Sequence, residues 1–438
     1  MRSRGGIAYA CAMTEAAIAP GLTRAQFRTL ALASLGGALE FYDFVIFVFF
    51  ATTMGQLFFP PDLPDWMRLV QTFGIFAAGY LARPLGGVVM AHFGDLTGRK
   101  KMFMLSILLM AIPTLLMGLL PTYAQAGVLA PLLLLLLRVM QGAAIGGEAP
   151  GAWVFVSEHV SPRHRNFACG ALSAGLCAGI LIGSLVARAT NAAFDDARLL
   201  AWGWRLPFVL GGVFGLMAMF LRRKLHETPV FAELQARRAL AAELPLKSVL
   251  REHMGAVLLA MLLTWLLTAA VVVTLLMMPT LLQSMGIDRQ AALSGNALAI
   301  CATIVANLVA GALADRFGAG RVLALWSALL GCAFAAFFLR VQAGAYSPAL
   351  YALAGAGVGL TALVPAIAVS GFPAPVRFSG LSFSYNVAYA VAGGLTPVLL
   401  SLAMKGNHAA PMHYLAAMSA LGVALGVFVA MRRSRVVA

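Results

Sequence analysis

Five ionisable residues lie inside stretches of sequence that are otherwise apolar enough to cross a lipid bilayer. Three are acids, Glu40, Asp43 and Glu148, and two are bases, Arg83 and Arg138. A charged side chain at membrane depth costs about 2.5–3.5 kcal/mol on insertion scales, and such residues usually mark functional sites. If each base pairs with an acid, one carboxylate remains, and a carboxylate without a partner there can take up a proton. We therefore expect a polar interior with a proton-binding acid.

The composition indicates a polytopic membrane protein. Of the 438 residues, 61% are hydrophobic and 11% are charged, whereas a soluble protein is about 25% charged. Apolar runs of about 20 residues recur along the chain and predict twelve transmembrane helices. The predicted spans are roughly 29–58, 68–93, 101–121, 129–157, 166–190, 203–222, 254–282, 291–313, 321–340, 347–370, 379–404 and 412–431.

The net charge of +15 comes from arginines and lysines in the connections between spans, mostly on one side of the membrane. This bias predicts a bacterial-type inner-membrane protein with both termini in the cytoplasm, and argues against a nucleic-acid-binding surface. We expect an all-α membrane protein with two pseudo-symmetric bundles of six helices. The predicted parts are a cytoplasmic segment 1–28, a bundle 29–222, a cytoplasmic middle loop 223–253, a bundle 254–431 and a cytoplasmic tail 432–438. The five cysteines and the histidines lack metal-binding spacing, so we expect no metal or cofactor.

A weak repeat relates the two predicted bundles. Residues 94–101 follow the second span and residues 314–321 follow the eighth, and in this register Asp95 matches Asp315 and Gly98 matches Gly318. Glycines allow a tight turn and close helix approach, and the acid can cap a helix or pair with a base. Together these loops predict a cytoplasmic gate. Its predicted residues are Gly94, Asp95, Gly98, Arg99, Asp315 and Arg316.

The first of these loops resembles the signature of the major facilitator superfamily, and the resemblance covers nearly the whole chain. More narrowly, the chain resembles the metabolite:proton symporter branch in segments 39–44, 82–87, 138–148, 227–231 and 384–394. The resemblance implies the twelve-helix major facilitator fold. It also implies transport of organic acids, or of zwitterions such as proline and betaine, together with protons. By the same resemblance, Arg138 is linked to proton movement.

Helix geometry places several of these charges at one depth. Glu40, Arg83 and Glu148 each lie roughly 15 Å from the cytoplasmic end of their span, at about 1.5 Å per residue. We expect Asp43 or Glu40 to carry the proton, and Arg83 to bind a substrate carboxylate through its guanidinium fork. Alternatively, Arg83 pairs with Glu40 or Glu148, all five charges form a fixed network, or Arg138 is a snorkelling anchor.

The expected residues fall into two groups. The proton-coupling group is Glu40, Asp43, Glu148 and Arg138, and the substrate-binding group is Arg83, Tyr42, Gln141, Trp265, Tyr385 and Asn386. These predict a monomeric transporter, not an enzyme, that takes up a small organic anion or zwitterion with a proton by alternating access. A proton-coupled exporter is the alternative, loosely supported by glycines at 170, 175, 179 and 183. An osmotically regulated permease or sensor is expected to carry C-terminal heptads, which segment 432–438 lacks.

Overall fold

The computed structural model describes residues 23–87, 99–146, 148–222, 245–373 and 376–437. Three of the predicted gate residues, Gly94, Asp95 and Gly98, lie outside this part, as does most of the predicted middle loop. The backbones of Glu40, Arg99 and Glu148 belong to helices, but their side chains are outside the described set.

The described backbone is helical, and its main helices follow the predicted spans in order. Their bounds are α1 Arg24–Phe49, α2 Asp65–Leu81, α3 Arg99–Met117, α4 Leu129–Ile145, α5 Arg165–Ala193, α6 Arg205–Arg222, α7 Met254–Val271, α8 Arg289–Phe317, α9 Ala319–Gln342, α10 Pro348–Gly357, α11 Arg377–Ala403 and α12 Ala410–Val437. Several helices continue past a local break, in the segments Ala51–Phe58, 83–87, Glu148–His159, Val272–Met277, Met278–Ser284, Val358–Ala362 and Leu363–Ser370. Short helices also form at Tyr123–Ala126, Pro162–His164, Asp196–Arg198, Leu199–Gly203 and Pro245–Glu252.

Length and hydropathy support most of the expected spans directly. In the described part of the chain, nine helices with their continuations are long and apolar enough to cross a membrane. A tenth is added if Asp196–Gly203 and Arg205–Met217, which meet at 43°, form one bent span. The other two expected spans are α2, which has 17 residues, and α3, of which Leu108–Met117 counts as a shorter apolar helix among the described residues.

Several helices begin earlier than their apolar runs because polar caps lie outside those runs. Thr23 and Gln26 form a reciprocal capping box, so α1 begins at Arg24 and not near residue 29. Asp288 caps α8 by accepting a hydrogen bond from the backbone nitrogen of Ala291. Such caps satisfy the free N–H groups of the first turn.

Helix α5 packs closely against both α1 and α8, and glycines make this possible. A Cβ atom at Gly179 would overlap the backbone carbonyl of Ala38 on α1, and one at Gly170 would overlap that of Asn307 on α8. Small residues at helix contacts let backbones approach within a bilayer. The glycine pattern that loosely favoured an exporter therefore has a packing role. The other extensive contact between the predicted halves joins α2 to α11.

Candidate functional site

Arg83 lies just after α2, where the two predicted halves meet. Its guanidinium carbon is 4.4 Å from the ring centroid of Tyr389 and 5.6 Å from that of Tyr385, both on α11. The ring of Tyr80 on α2 lies 5.4 Å away. Arg83 is only 1% exposed, so these contacts are made without competing water. Cation–π attraction is stronger in such a desolvated place.

The three tyrosines also contact each other, and we call Tyr80, Tyr385 and Tyr389 the tyrosine cluster. Tyr80 and Tyr389 are stacked with centroids 5.1 Å apart, and Tyr385 lies 5.0 Å from Tyr389. Trp153, in the continuation of α4, meets Tyr385 edge-on at 5.1 Å. The cluster therefore joins residues of both predicted bundles around one arginine.

Several polar atoms beside this cluster are buried without a hydrogen-bond partner in the described structure. They are Nε and Nη2 of Arg83, Nε1 of Trp153 and Oδ1 of Asn386. The amide nitrogen of Asn386 donates to the backbone carbonyl of Gly146, across the contact between halves. An unsatisfied buried donor or acceptor costs about 1–3 kcal/mol. Such a group of atoms is typical of a site that meets a ligand.

Asp43 occupies a different place, inside the first bundle. It is 1% exposed, and neither of its carboxylate oxygens has a hydrogen-bond partner among the described residues. The oxygens lie where side chains at Gly211 and Gly215 of α6 would otherwise sit. Thr114 of α3 borders the same space. The two glycines of α6 therefore leave room for a buried carboxyl group.

Arg138 belongs to a chain of hydrogen bonds next to Asp43. Nη1 of Arg138 donates to Oε1 of Gln141 at 2.7 Å and to the backbone carbonyl of Phe44 at 3.2 Å. Gln141 donates in turn to the hydroxyl of Thr114 and to the backbone carbonyl of Asp43. Arg138 is fully buried, which excludes the alternative of a snorkelling anchor. It is part of the bundle interior.

The two arginines contact one set of aromatic rings from different sides of the site. Arg138 lies 4.5 Å from the ring centroid of Phe44 and 5.3 Å from that of Phe76. Both rings meet Tyr80, which also contacts Arg83. The expected layer of Glu40, Arg83 and Glu148 stays a prediction, because the side chains of Glu40 and Glu148 lie outside the described set. Asp43 and Arg138 lie in one place and Arg83 in another, because α1 turns Asp43 towards α6 while Arg83 faces α11.

Three predicted substrate-binding residues lie away from Arg83. Tyr42 donates to the backbone carbonyl of Pro207 at 2.8 Å inside the first bundle. Gln141 belongs to the Arg138 chain. Trp265 is 40% exposed and donates to the hydroxyl of Tyr414 at 2.9 Å. The three side chains therefore do not share one place with Arg83, because residue type and depth do not determine the direction in which a helix faces, and their part in substrate binding stays a prediction.

Tyr80, Tyr389 and Trp153 contact this site but were not predicted as site residues from the sequence. Helical spacing held part of the signal: Tyr80 precedes Arg83 by one turn, and Tyr385 precedes Tyr389 by one turn. The spacing could not show that the pair Tyr80 and Arg83 contacts the pair Tyr385 and Tyr389.

Polar contacts connect the halves at the α8–α9 end of the bundle, which is the end predicted to be cytoplasmic. Asp315 on α8 accepts hydrogen bonds from the backbone and side-chain nitrogens of Asn166, at 3.0 and 2.8 Å, and from the backbone nitrogen of Phe167 at 3.0 Å. Arg377 pairs with Glu158 at 2.9 Å nearby. Among the other predicted gate residues, Arg316 is exposed and lies against its neighbour Phe317.

Contacts also bridge the halves at the opposite, α7–α8 end. Arg289 donates to Asn191 at 2.9 Å and pairs with Asp196 at 3.3 Å. The ammonium nitrogen of Lys405 lies 2.8 Å from the ring centroid of Trp66. The tyrosine cluster therefore lies between two bridged ends.

Comparison with known proteins identifies the family. A sequence profile described as the Major Facilitator Superfamily matches residues 33–397. The "Glycine betaine/proline/ectoine/pipecolic acid transporter OusA" of Dickeya dadantii is 31% identical over an alignment of 418 residues that covers 92% of this chain and 82% of that protein. The "Inner membrane metabolite transport protein YhjE" of Escherichia coli is 33% identical over 410 residues, covering 90% and 92% of the two chains.

The fold has a solved counterpart as well. The structure of the proton:xylose symporter XylE bound to 6-bromo-6-deoxy-D-glucose superposes with a TM-score of 0.73 at 16% identity, covering 92% of this chain and 94% of that one. At this identity the likeness shows the fold alone, and that fold is the expected one. The resemblance named from the motifs is thereby confirmed. The chain belongs to the major facilitator superfamily and is a multi-pass membrane transporter, not an enzyme.

Proposed function

We propose that this protein takes up a small organic acid or zwitterionic metabolite together with a proton, by alternating access across a bacterial-type inner membrane. Both termini would lie in the cytoplasm, as the distribution of basic residues predicts. The observation that carries the proposal is the buried carboxyl group of Asp43, whose two oxygens lack a hydrogen-bond partner in the described part.

Asp43 is the proposed proton carrier. A buried carboxylate anion without a donor is strongly penalised, and binding a proton removes that penalty. The chain from Thr114 through Gln141 to Arg138 lies beside it and brings a positive charge into the same interior. Proton binding and release at Asp43 would therefore change the charge balance of the first bundle. Glu40 and Glu148 remain proposed members of this group.

Arg83 is the proposed binding residue for the solute carboxylate. The two unpartnered nitrogens, Nε and Nη2, form one edge of the guanidinium group. That edge matches the two oxygens of a carboxylate in a pair of hydrogen bonds. Tyr385 and Asn386 lie beside it, and relatives are named as transporters of proline and betaine, which carry a carboxylate and a cationic nitrogen.

Alternating access requires the bridges at each end to part in turn. At the α8–α9 end these are the Asp315 hydrogen bonds and the pair formed by Arg377 and Glu158. Asp95 and Arg99 are proposed to act at the same end. At the other end, Arg289 would release Asn191 and Asp196.

Uptake into liposomes tests the proposal. Purified protein is reconstituted, and accumulation of glycine betaine, proline and a set of carboxylates is measured with and without an alkaline interior. For one proton per solute, one pH unit drives about tenfold accumulation, because it corresponds to about 1.36 kcal/mol. Wild-type protein should accumulate its solute, whereas Asp43→Asn should only exchange it.

The control is Asp65→Asn, which removes an exposed carboxylate paired locally with Arg68, and it should accumulate like the wild type. Uptake that ignores the pH gradient would overturn proton symport. Solute movement out of the vesicle in exchange for incoming protons would indicate the exporter instead.

A further inference from the structure

Arg83 lies among the three rings of the tyrosine cluster, which form an aromatic cage that can also hold an ammonium cation. We propose that the tyrosine cluster binds the alkylated ammonium group of the solute, and that Arg83 occupies the cage when no solute is present. The inference rests on the proposed function, because it concerns the cationic part of the same solute. It makes Tyr80, Tyr385 and Tyr389 residues that determine specificity.

The geometry of the cage supports a cation site. The guanidinium carbon lies between 4.4 and 5.6 Å from three ring centroids, within the distance of about 6 Å at which a ring face attracts a cation. The three tyrosines are at most 2% exposed. Aromatic cages of this type recognise quaternary ammonium groups, because such groups cannot donate hydrogen bonds and are weakly hydrated.

The cage is divided between the two halves of the transporter. Tyr80 belongs to α2, whereas Tyr385 and Tyr389 belong to α11. If the halves separated at this contact, the rings of Tyr385 and Tyr389 would move away from the ring of Tyr80. A cation in the cage therefore favours the closed arrangement, whether it comes from Arg83 or from the solute. This lets both the empty and the loaded transporter close.

A carboxylate site adjoins the cage. Arg83 and Trp153 present three buried donor nitrogens without acceptors in the described structure, Nε and Nη2 of Arg83 and Nε1 of Trp153. Trp153 contacts Tyr385, which in turn borders Arg83. An ammonium group entering the cage would displace the guanidinium, which could then pair with the carboxylate of the same molecule. The favoured solute is a short zwitterion with one carboxylate and an alkylated nitrogen.

Two probes of equal shape test the cage. Glycine betaine carries a trimethylammonium group, and 3,3-dimethylbutanoate replaces it with an uncharged tert-butyl group. Binding of each to purified wild-type protein is measured by calorimetry at one pH. We expect betaine to bind about 30-fold more tightly, equivalent to about 2 kcal/mol for a desolvated cation–π site. Because both probes have the carboxylate, the ratio isolates the cage.

Variants locate the preference. Tyr389→Leu should reduce the ratio to a few fold, whereas Tyr389→Phe keeps the ring and should retain most of it. The matched control is Tyr414→Leu, a tyrosine that bonds Trp265 and Thr396 outside the cage, and it should leave the ratio unchanged.

The outcomes separate the two proposals. Equal binding of the two probes by the wild type would overturn the cage and leave carboxylate transport intact, even if Tyr389→Leu does not fold. A preference that survives unchanged in a folded Tyr389→Leu protein would also overturn the cage. Failure to bind or transport any carboxylate solute would refute the proposed function and this inference with it.

Discussion

Replacing Asp315 with asparagine should open the α8–α9 end of the transporter. Asp315 on α8 accepts three hydrogen bonds from the first turn of α5, which belongs to the other half. Asparagine has nearly the same shape but is neutral, and one of its two terminal atoms is a donor. In Asp315→Asn that amide nitrogen would face a backbone N–H of α5 that it cannot pair with.

The expected size follows from the cap that is lost. Removal of a helix N-cap costs about 1 kcal/mol, and loss of a negative charge at a helix N-terminus costs about 0.3–1 kcal/mol. Asp315 is half-buried, so solvent reduces the full value of charged hydrogen bonds. A total of about 1.3–2 kcal/mol shifts the equilibrium between closed and open forms about 9- to 30-fold.

A native thiol on α5 reports the opening. Cys169 is fully buried close to the Asp315 contact. In a background in which the other cysteines are replaced, namely Cys11, Cys177, Cys301 and Cys332, a maleimide would react with Cys169 alone. When opening and closing are fast, the rate follows the open fraction. Asp315→Asn should therefore react about 9- to 30-fold faster in nanodiscs.

The control is Asp288→Asn, which removes a similar cap that Asp288 makes on its own helix. It should leave the reactivity of Cys169 near the background value. If Asp315→Asn leaves the rate unchanged, or if both variants raise it equally, the contact does not hold the halves together and the reasoning is refuted.

Three further predictions concern other contacts. Reversing the charge of Arg377 or Glu158, paired at 2.9 Å, should speed the same thiol reaction about two- to fivefold, and reversing both should restore it. Gly179→Ala should lower the free energy of unfolding by about 1–3 kcal/mol because its Cβ atom would overlap a carbonyl of α1. Gly74→Ala has open space around its Cβ atom and should not lower it. Burial raises the pKa of Tyr346 to about 12, so its contribution to stability is complete below about pH 10 and is lost by about pH 12; pH-dependent unfolding of Tyr346→Phe should lack this loss.

The sequence predicted the membrane helices well because hydropathy and helix length are local properties. Helix ends were less accurate, as at Arg24, since caps lie beyond the apolar runs. The motifs that resemble the major facilitator superfamily also identified the fold class correctly.

The candidate site was predictable only in part. Asp43 and Arg83 stood out because charge inside a membrane is rare and costly. Their environments did not follow from sequence, since the room around Asp43 comes from Gly211 and Gly215 on another helix. The cage around Arg83 likewise depends on Tyr389, more than 300 positions away.

The sequence by itself determined that this chain crosses a membrane, that its first bundle holds buried charges, and that Asp315 belongs to a repeated loop motif. Only the tertiary structure decided that Asp43 faces α6, that Arg83 meets three tyrosines, and that Asp315 caps α5. The physical reason is that residue spacing along a helix determines which side chains share a face. The packing of all helices together determines what that face meets.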